Sequence, residues 1–226
     1  MASSQQDVIA VLGGAGALGS GLVRRLAMAG HRVVIGSRNP EGAAGLVETL
    51  RTATGNGQIS AAGYAEAAAE AAIVILAVPF AAQQAAIEAV RPHLLGKLLI
   101  DCTVPLVPPK VGLVQLPAAG CAAVLAAAAA GDGVDVASAF HNVSAKLLQD
   151  DGPIACDVLV FADDVAVRAR TGELVTACGL RSIEGGPLAN SAAAEALTSV
   201  LIQINRRYKS GHSGIRITGL DEGGGH

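Results

Sequence analysis

The sequence predicts an α/β protein built on a doubly wound, mostly parallel sheet, and three observations carry that expectation. Short runs of Val, Ile and Leu alternate along the chain with alanine-rich segments long enough to form helices. The runs are apolar throughout instead of alternating with polar residues, as a sheet covered on both faces requires. A glycine cluster follows the first run directly and opens the first helical segment. Strand, helix and strand repeated this often indicate parallel crossover units.

Taken in order, Val8–Gly13 is the first strand and Ala17–Ala29 the helix behind its glycines. Arg32–Gly36 reads as strand, Glu41–Thr52 as helix, and Gln58–Ala61 as a weaker extra strand. Tyr64–Ala71 is helical, and the strand Ile73–Ala77 is stopped by Pro79 before a helix over Phe80–Val90. Lys97–Cys102 is the fifth strand, and the proline-rich stretch Val104–Pro117 after it reads as a long functional loop. A small-residue helix over Ala118–Ala130 leads to strands at Val134–Phe140 and Asp157–Ala162. Asp163 and Asp164 suit the capped start of a helix over Asp164–Cys178, because an Asp oxygen can accept from the free amides of a first turn. Strand Leu180–Glu184 and helix Ser191–Lys209 close the pattern, and Gly219–His226 reads as a frayed tail.

Composition excludes several classes. The 226 residues are 51% hydrophobic, 2% aromatic and 15% charged, with a net charge of −3. Dense aliphatic blocks and small net charge argue against disorder. A mildly acidic chain with few aromatics lacks the basic patches and stacking platforms that nucleic-acid binding uses. The uncharged run Val111–Gly131 is long enough to span a bilayer. Its Gln115, Pro117 and alanines make it a poor membrane segment and a better loop followed by a packed helix. MASSQQD has neither a basic region nor a long apolar stretch, so the expected setting is cytoplasmic. Cys102, Cys121, Cys156 and Cys178 are widely spaced and are expected to be reduced, buried thiols. No histidine falls at metal-ligand spacing from a cysteine or an acid, so no metal site is expected.

The chemistry starts at the glycines. Gly14, Gly16 and Gly19 fit G-x-G-x-x-G between a strand and a helix. There the pattern provides a tight turn, backbone access to a pyrophosphate and close helix–strand packing. Sheets that bind NAD usually place an acid at the end of the second strand. This chain has Gly36-Ser37-Arg38 there, with no carboxylate before Glu41. A carboxylate would repel a 2′-phosphate, whereas Arg38 offers a planar fork of donors and Ser37 a hydroxyl, which favours NADP. Val78, Pro79 and Phe80 stand where the fourth strand meets the cofactor crevice, although Pro79 would also serve as a plain strand stop. His141 follows a buried strand at the end where the crevice should open. It suits either a ligand contact or a satisfied structural histidine.

Further blocks make the pattern specific. GGAGALGSGLVRRLAMAGHRVVIGSR, ILAVPF, IDCTVPLVP, AFHNVSA, CDVLVFADD, GGPLANS, INRRYK and GIRITGL follow one another from Val8 to Leu220. In that order they resemble the NADPH-dependent F-420 reductases, also called F-420H2:NADP oxidoreductases. The resemblance implies reversible hydride transfer between NADP and coenzyme F-420, an 8-hydroxy-5-deazaflavin. Carried over, the NADP contacts fall on Ala15, Gly16, Ala17, Leu18, Ser37, Arg38, Val78, Pro79, Phe80, Ala145 and Ser213. His141 and Val143 match the deazaflavin pocket, His141 as a positioner of the ring and not an obligatory acid, and Thr103, Val104, Pro105 and Leu106 look like part of the same pocket. Three positions depart from the family: Ala15 and Asn142 replace usual threonines, and Ala192 replaces a frequent arginine.

The expected organisation is a Rossmann-like NADP-binding domain over 1–140, with 141–226 completing the sheet and the deazaflavin pocket. Small-molecule cofactors are the expected partners. The last helix suits either a homodimer interface or completion of the core. Arg206, Arg207 and Lys209 at its end suit the helix dipole and also an anionic coenzyme tail. An NADP-dependent imine or oxo-acid reductase and a non-enzymatic NADP-sensing module are the alternative functions.

Overall fold

A computed structural model describes residues 7–220. Most of MASSQQD and of the expected tail lie outside these residues. Eight strands form one sheet in the order β3-β2-β1-β4-β5-β6-β7-β8. They are β1 Ile9–Leu12, β2 Val33–Gly36, β3 Ile59–Ala62, β4 Ile73–Leu76, β5 Leu98–Asp101, β6 Asp135–Ser138, β7 Asp157–Phe161 and β8 Arg181–Gly186. Every predicted strand is present, and the weak one is the edge strand β3. Its residues after Ile59 are only half buried, which is why its apolar signal is faint. The first six strands are parallel. β7 turns antiparallel to β6 through the pair Ser138 and Phe161, and β8 runs parallel to β7.

The helices are α1 Ala17–Met28, α2 Ala44–Thr54, α3 Tyr64–Glu70, α4 Gln83–Val90, α5 Ala122–Ala130, α6 Ala145–Gln149, α7 Val165–Ala177 and α8 Ser191–Tyr208. Tight 3-10 turns at Glu41–Ala43 and Phe80–Ala82 precede α2 and α4. The fifth helix starts at Ala122 and not at Ala118, because Gly120 folds back in a turn and donates to the Pro117 carbonyl at 2.9 Å. Asp164 caps α7 as expected, accepting from the amides of Ala166 and Val167.

Alternate strand residues face opposite layers, because successive side chains leave a strand on opposite sides. Ile9, Val11, Val33, Ile35, Ile75 and Ile100 pack with Leu22 and Leu26 of α1 and with Leu174 of α7. Leu12, Val34, Val74, Leu76 and Leu99 pack with Ala67 of α3, Ile87 of α4 and Ala126 of α5. All four cysteines are free and buried. Burial pushes the Cys178 thiol up to about 12, so it behaves as a small apolar side chain.

The short helix α6 has no counterpart in the sequence expectation, since five residues are too few for a helical period to register. It lies against α1. A Cβ on Gly21 would stand 2.6 Å from Leu148 Cβ. Arg25, buried in α1, donates to the carbonyls of Leu147, Leu148, Asp150 and Gly152.

Candidate active site

The glycine turn is shaped by sterics. Gly13 takes φ 78°, the left-handed region that disfavours a Cβ. The expected tight-turn role of Gly14 is thus shared with the residue before it. A Cβ on Gly14 would lie 2.7 Å from the Val11 carbonyl, and one on Gly19 would lie 2.3 Å from the Gly13 carbonyl. Gly19 therefore allows α1 to press on the turn. At Gly16 an added Cβ meets only the Gly13 oxygen, at 3.2 Å, so the outer side of the loop is open. No side chain caps α1 and no acid lies in its first turn. The amides of Ala17 and Leu18 have no intrahelical acceptor there, and the positive end of the helix dipole faces outward.

Beside this loop lies a cavity of about 660 Å³. Ala15, Gly16, Ser37, Arg38, Val78 and Pro79 all border it. Arg38 is exposed and pairs with no carboxylate among the described residues. The Ser37 hydroxyl donates to the Asn39 carbonyl at 3.0 Å and accepts from the Asn39 amide at 3.1 Å. Phosphate binding by this hydroxyl requires exchange of that acceptor. Tyr64 and alanines 82, 85, 86 and 89 complete the wall. Sequence reasoning did not single them out, although the alanines recur at one-face spacing. Phe80 instead borders a depression between α4 and α5.

The segment after β6 is the second feature. Phe140 is buried and takes φ 67°, an uncommon conformation for a bulky residue. His141 follows, 6% exposed, with neither ring nitrogen hydrogen-bonded. Desolvation by burial lowers its pKa to about 4, so the imidazole is neutral at pH 7 and carries one donor and one acceptor. An orphaned buried donor is costly, which suits a side chain that meets a polar ligand. Val143, Ser144 and Ser213 join His141 around a cavity of about 160 Å³. Ser213, expected at NADP, thus lies on the cavity of His141 and not on the one beside the glycine loop. Ala145 begins α6, whose Gln149 donates to the Ala17 carbonyl at 2.8 Å and links this side to the glycine loop.

Thr103 is placed differently from the expectation of a pocket contact. It is 1% exposed, and its hydroxyl donates to Asp101 Oδ2 at 2.9 Å. Val104, Pro105 and Leu106 continue from it and border neither of the two cavities. Among the described residues no group of His, Cys, Asp or Glu is arranged to hold a metal ion. No helix among them is long and apolar enough to cross a membrane.

A parallel sheet with a glycine-lined helix start and a cationic corner after β2 defines a dinucleotide-binding oxidoreductase of Rossmann-like architecture. Residues 8–105 match the family model described as coenzyme F420-dependent NADP oxidoreductase. The chain is 39% identical over 222 residues to an F420-dependent NADP reductase of Methanothermobacter marburgensis, covering 95% of this chain and 99% of that protein. It belongs to the F420-dependent NADP reductase family. A crystal structure of a putative F420-dependent NADP-reductase from an Arthrobacter species superposes with a TM-score of 0.77 at 26% identity, covering 93% of this chain and 98% of that one. An imine reductase of Myxococcus stipitatus shares the fold at TM-score 0.65 and 16% identity, covering 92% of this chain and 63% of that one.

Proposed function

We propose that this protein catalyses reversible, direct hydride transfer between NADP(H) and the deazaflavin coenzyme F-420. One observation carries this reading. The glycine-loop cavity and the His141 cavity are built by segments leaving the same edge of the parallel sheet. β4 and β6 are separated by β5 alone, so their ends stand about 10 Å apart at the usual strand spacing. That separation suits two planar rings held against each other.

When bound, the two rings supply the chemistry themselves, a hydride passing between C4 of nicotinamide and C5 of the deazaflavin. The chain binds, orients and excludes water. Gly14, Gly16 and the amides of Ala15, Ala17 and Leu18 hold the pyrophosphate. Arg38, helped by Ser37, holds the 2′-phosphate. Val78 and Pro79 flank the nicotinamide half. His141 meets the deazaflavin ring as a neutral positioner, with Val143 beside it. We take 1–140 as the NADP-binding domain and 141–226 as completing the sheet and the deazaflavin pocket, with Ala145 and Ser213 contributing to the NADP side. The setting is cytoplasmic.

A homodimer is supported by one face. Leu113, Val114 and Leu116 are exposed on the loop after β5, and Val200 on α8. The loop is tied to that helix where Ser199 Oγ donates to the Leu113 carbonyl at 3.3 Å. Sedimentation of the purified protein checks the assembly.

The reaction is tested by mixing the protein with NADPH and oxidised F-420 and following the deazaflavin absorbance. Bleaching that reverses with NADP confirms the reading. No turnover in either direction sinks it, and reduction of a cyclic imine by NADPH would assign the protein to imine chemistry instead.

A further inference from the structure

Three segments meet at the carboxyl edge: the Val78–Phe80 turn after β4, the loop from Cys102 after β5, and Ala139–Val143 after β6. β5 lies between the other two strands, with Asp101 opposite Leu76 on one side and Ser138 on the other. Behind this junction is a buried polar network. Gln83, the first residue of α4, is 3% exposed, and Asp101 and Glu195 are 0% and 1% exposed. Gln83 Nε2 stands 2.9 Å from Asp101 Oδ2, 2.6 Å from Thr103 Oγ1 and 2.9 Å from the Ala122 carbonyl. Asp101 Oδ1 accepts from the Thr103 amide at 3.2 Å. Glu195 accepts from the amides of Ala122 and Ala123 at 2.7 and 3.1 Å and from Ser191 Oγ at 2.9 Å.

We propose that Gln83 is a positioning residue for hydride transfer, its amide locking the turn after β4 to the end of β5, against which the His141 segment is held, and so setting the ring separation. The proposal rests on the hydride-transfer reading above. Gln83 borders neither ligand cavity, so it acts through what it holds. On one side it is joined to Val78–Phe80 by the stiff turn in which the Ala82 amide donates to the Pro79 carbonyl at 2.8 Å. On the other it reaches Asp101, whose backbone carbonyl accepts from the Ala139 amide at 3.2 Å, two residues before His141. An apolar side chain of similar volume would fill the same space. What the amide adds is a fixed geometry between two loops, because a satisfied buried network admits few alternative arrangements. Hydride transfer is sensitive to such placement, since an error of about 1 Å between reacting atoms can cost about 100-fold in rate.

The test uses Gln83→Met, which keeps length and removes the amide, and Gln83→Glu, which can donate only when protonated. Single-turnover oxidation of NADPH by F-420 is followed by stopped-flow absorbance, with unlabelled and 4-deuterated NADPH across temperature. Gln83→Met should slow hydride transfer by about 10- to 100-fold. Its isotope effect should become more temperature-dependent, with the NADPH dissociation constant within about twofold of wild type, the margin within which binding counts as unchanged. Gln83→Glu should regain rate relative to wild type as pH falls from 8 to 6. A folded Gln83→Met variant with an unchanged rate, or a slowed one with an unchanged isotope effect, overturns the proposal. Should that variant not fold, a Gln83→Glu rate that follows the wild-type pH profile overturns it equally. Absence of transfer in the wild type would instead fell the underlying reading.

Discussion

The side-chain amide of Asn142 donates to the Ala194 carbonyl at 2.8 Å and to Thr198 Oγ1 at 3.1 Å. Asn142 therefore fastens the His141 segment to α8. Thr198 Oγ1 lies 3.0 Å from the His141 carbonyl, reinforcing the same junction. Asn142→Ala leaves these acceptors without the amide, and a lost buried hydrogen bond costs about 1–3 kcal/mol. The expected outcome in urea unfolding is a loss in that range. In steady-state kinetics the KM for F-420 should rise while the KM for NADPH stays near wild type, because Asn142 does not border the glycine-loop cavity.

Arg38 borders the glycine-loop cavity beside Ser37 with no acidic neighbour before Glu41. A hydrogen bond to a charged group contributes about 1.5–3 kcal/mol, so Arg38→Ala should raise the KM for NADPH by about 10- to 100-fold. The KM for NADH, which lacks the 2′-phosphate, should change little. Measuring both constants in both proteins checks this, and an NADPH preference that survives the substitution refutes the role.

Most of the sheet is legible because parallel strands covered on both faces are written as plain apolar runs. The glycine turn and Arg38 are equally legible, being local patterns at fixed distances from a strand end. What stays hidden depends on contacts between distant parts of the chain. Gln83, Asp101 and Glu195 carry no mutual spacing signal and meet only because α4, β5 and α8 converge. The positive φ of Phe140 leaves no mark in composition, since bulky residues rarely adopt it. The helix α6 is too short to show a period, yet Gly21 does hint at it. A glycine inside a helix costs about 1 kcal/mol relative to alanine, and here the reason is the close approach of Leu148.

Two buried groups pull the pH dependence of stability in opposite directions. Desolvation lowers the His141 pKa from 6.5 to about 4. The unfolded chain therefore takes up a proton before the folded one does, and stability is lost as pH falls through that window. Burial raises the Asp101 pKa from 3.8 to about 7. There the folded state holds the extra proton, so stability is present at low pH and declines as pH rises towards 7. Burial also raises Glu195, which adds to the second trend. The stability difference between His141→Gln and wild type should grow in favour of the variant as pH drops below about 6.5. That between Asp101→Asn and wild type should shift in favour of the variant as pH rises from about 4 to 7. Urea unfolding at a series of pH values reads both slopes, and a flat difference for either variant refutes its assignment.

The α1–α6 contact offers a test of stability. Gly21→Ala gains helix propensity of about 1 kcal/mol. It also forces a methyl group against Leu148 Cβ, 2.6 Å from the ideal position, and overpacking costs about 1–3 kcal/mol. The clash should prevail, because Arg25 holds α6 in place through several carbonyls. A lower melting temperature, by about 2–4 °C per kcal/mol for a chain of this size, is the expected reading. Stabilisation would show that α6 yields freely.

The end of α8 gives the last expectation. Arg206, Arg207 and Lys209 are exposed beside Asn205 and Gly211, which border the His141 cavity. An anionic coenzyme tail leaving that cavity would pass this cationic turn, where exposed charges act over about 10 Å at 0.1 M salt and about 3 Å at 1 M. Raising salt across that range should therefore weaken F-420 binding several-fold. A deazaflavin lacking the phosphate and glutamate tail should bind with little salt dependence. Substituting Arg206 and Arg207 by alanine should flatten the salt response of full-length F-420 and leave that of NADPH, held at Arg38, intact. Equal salt slopes for the complete and the truncated coenzyme would leave these residues with the helix dipole as their only role.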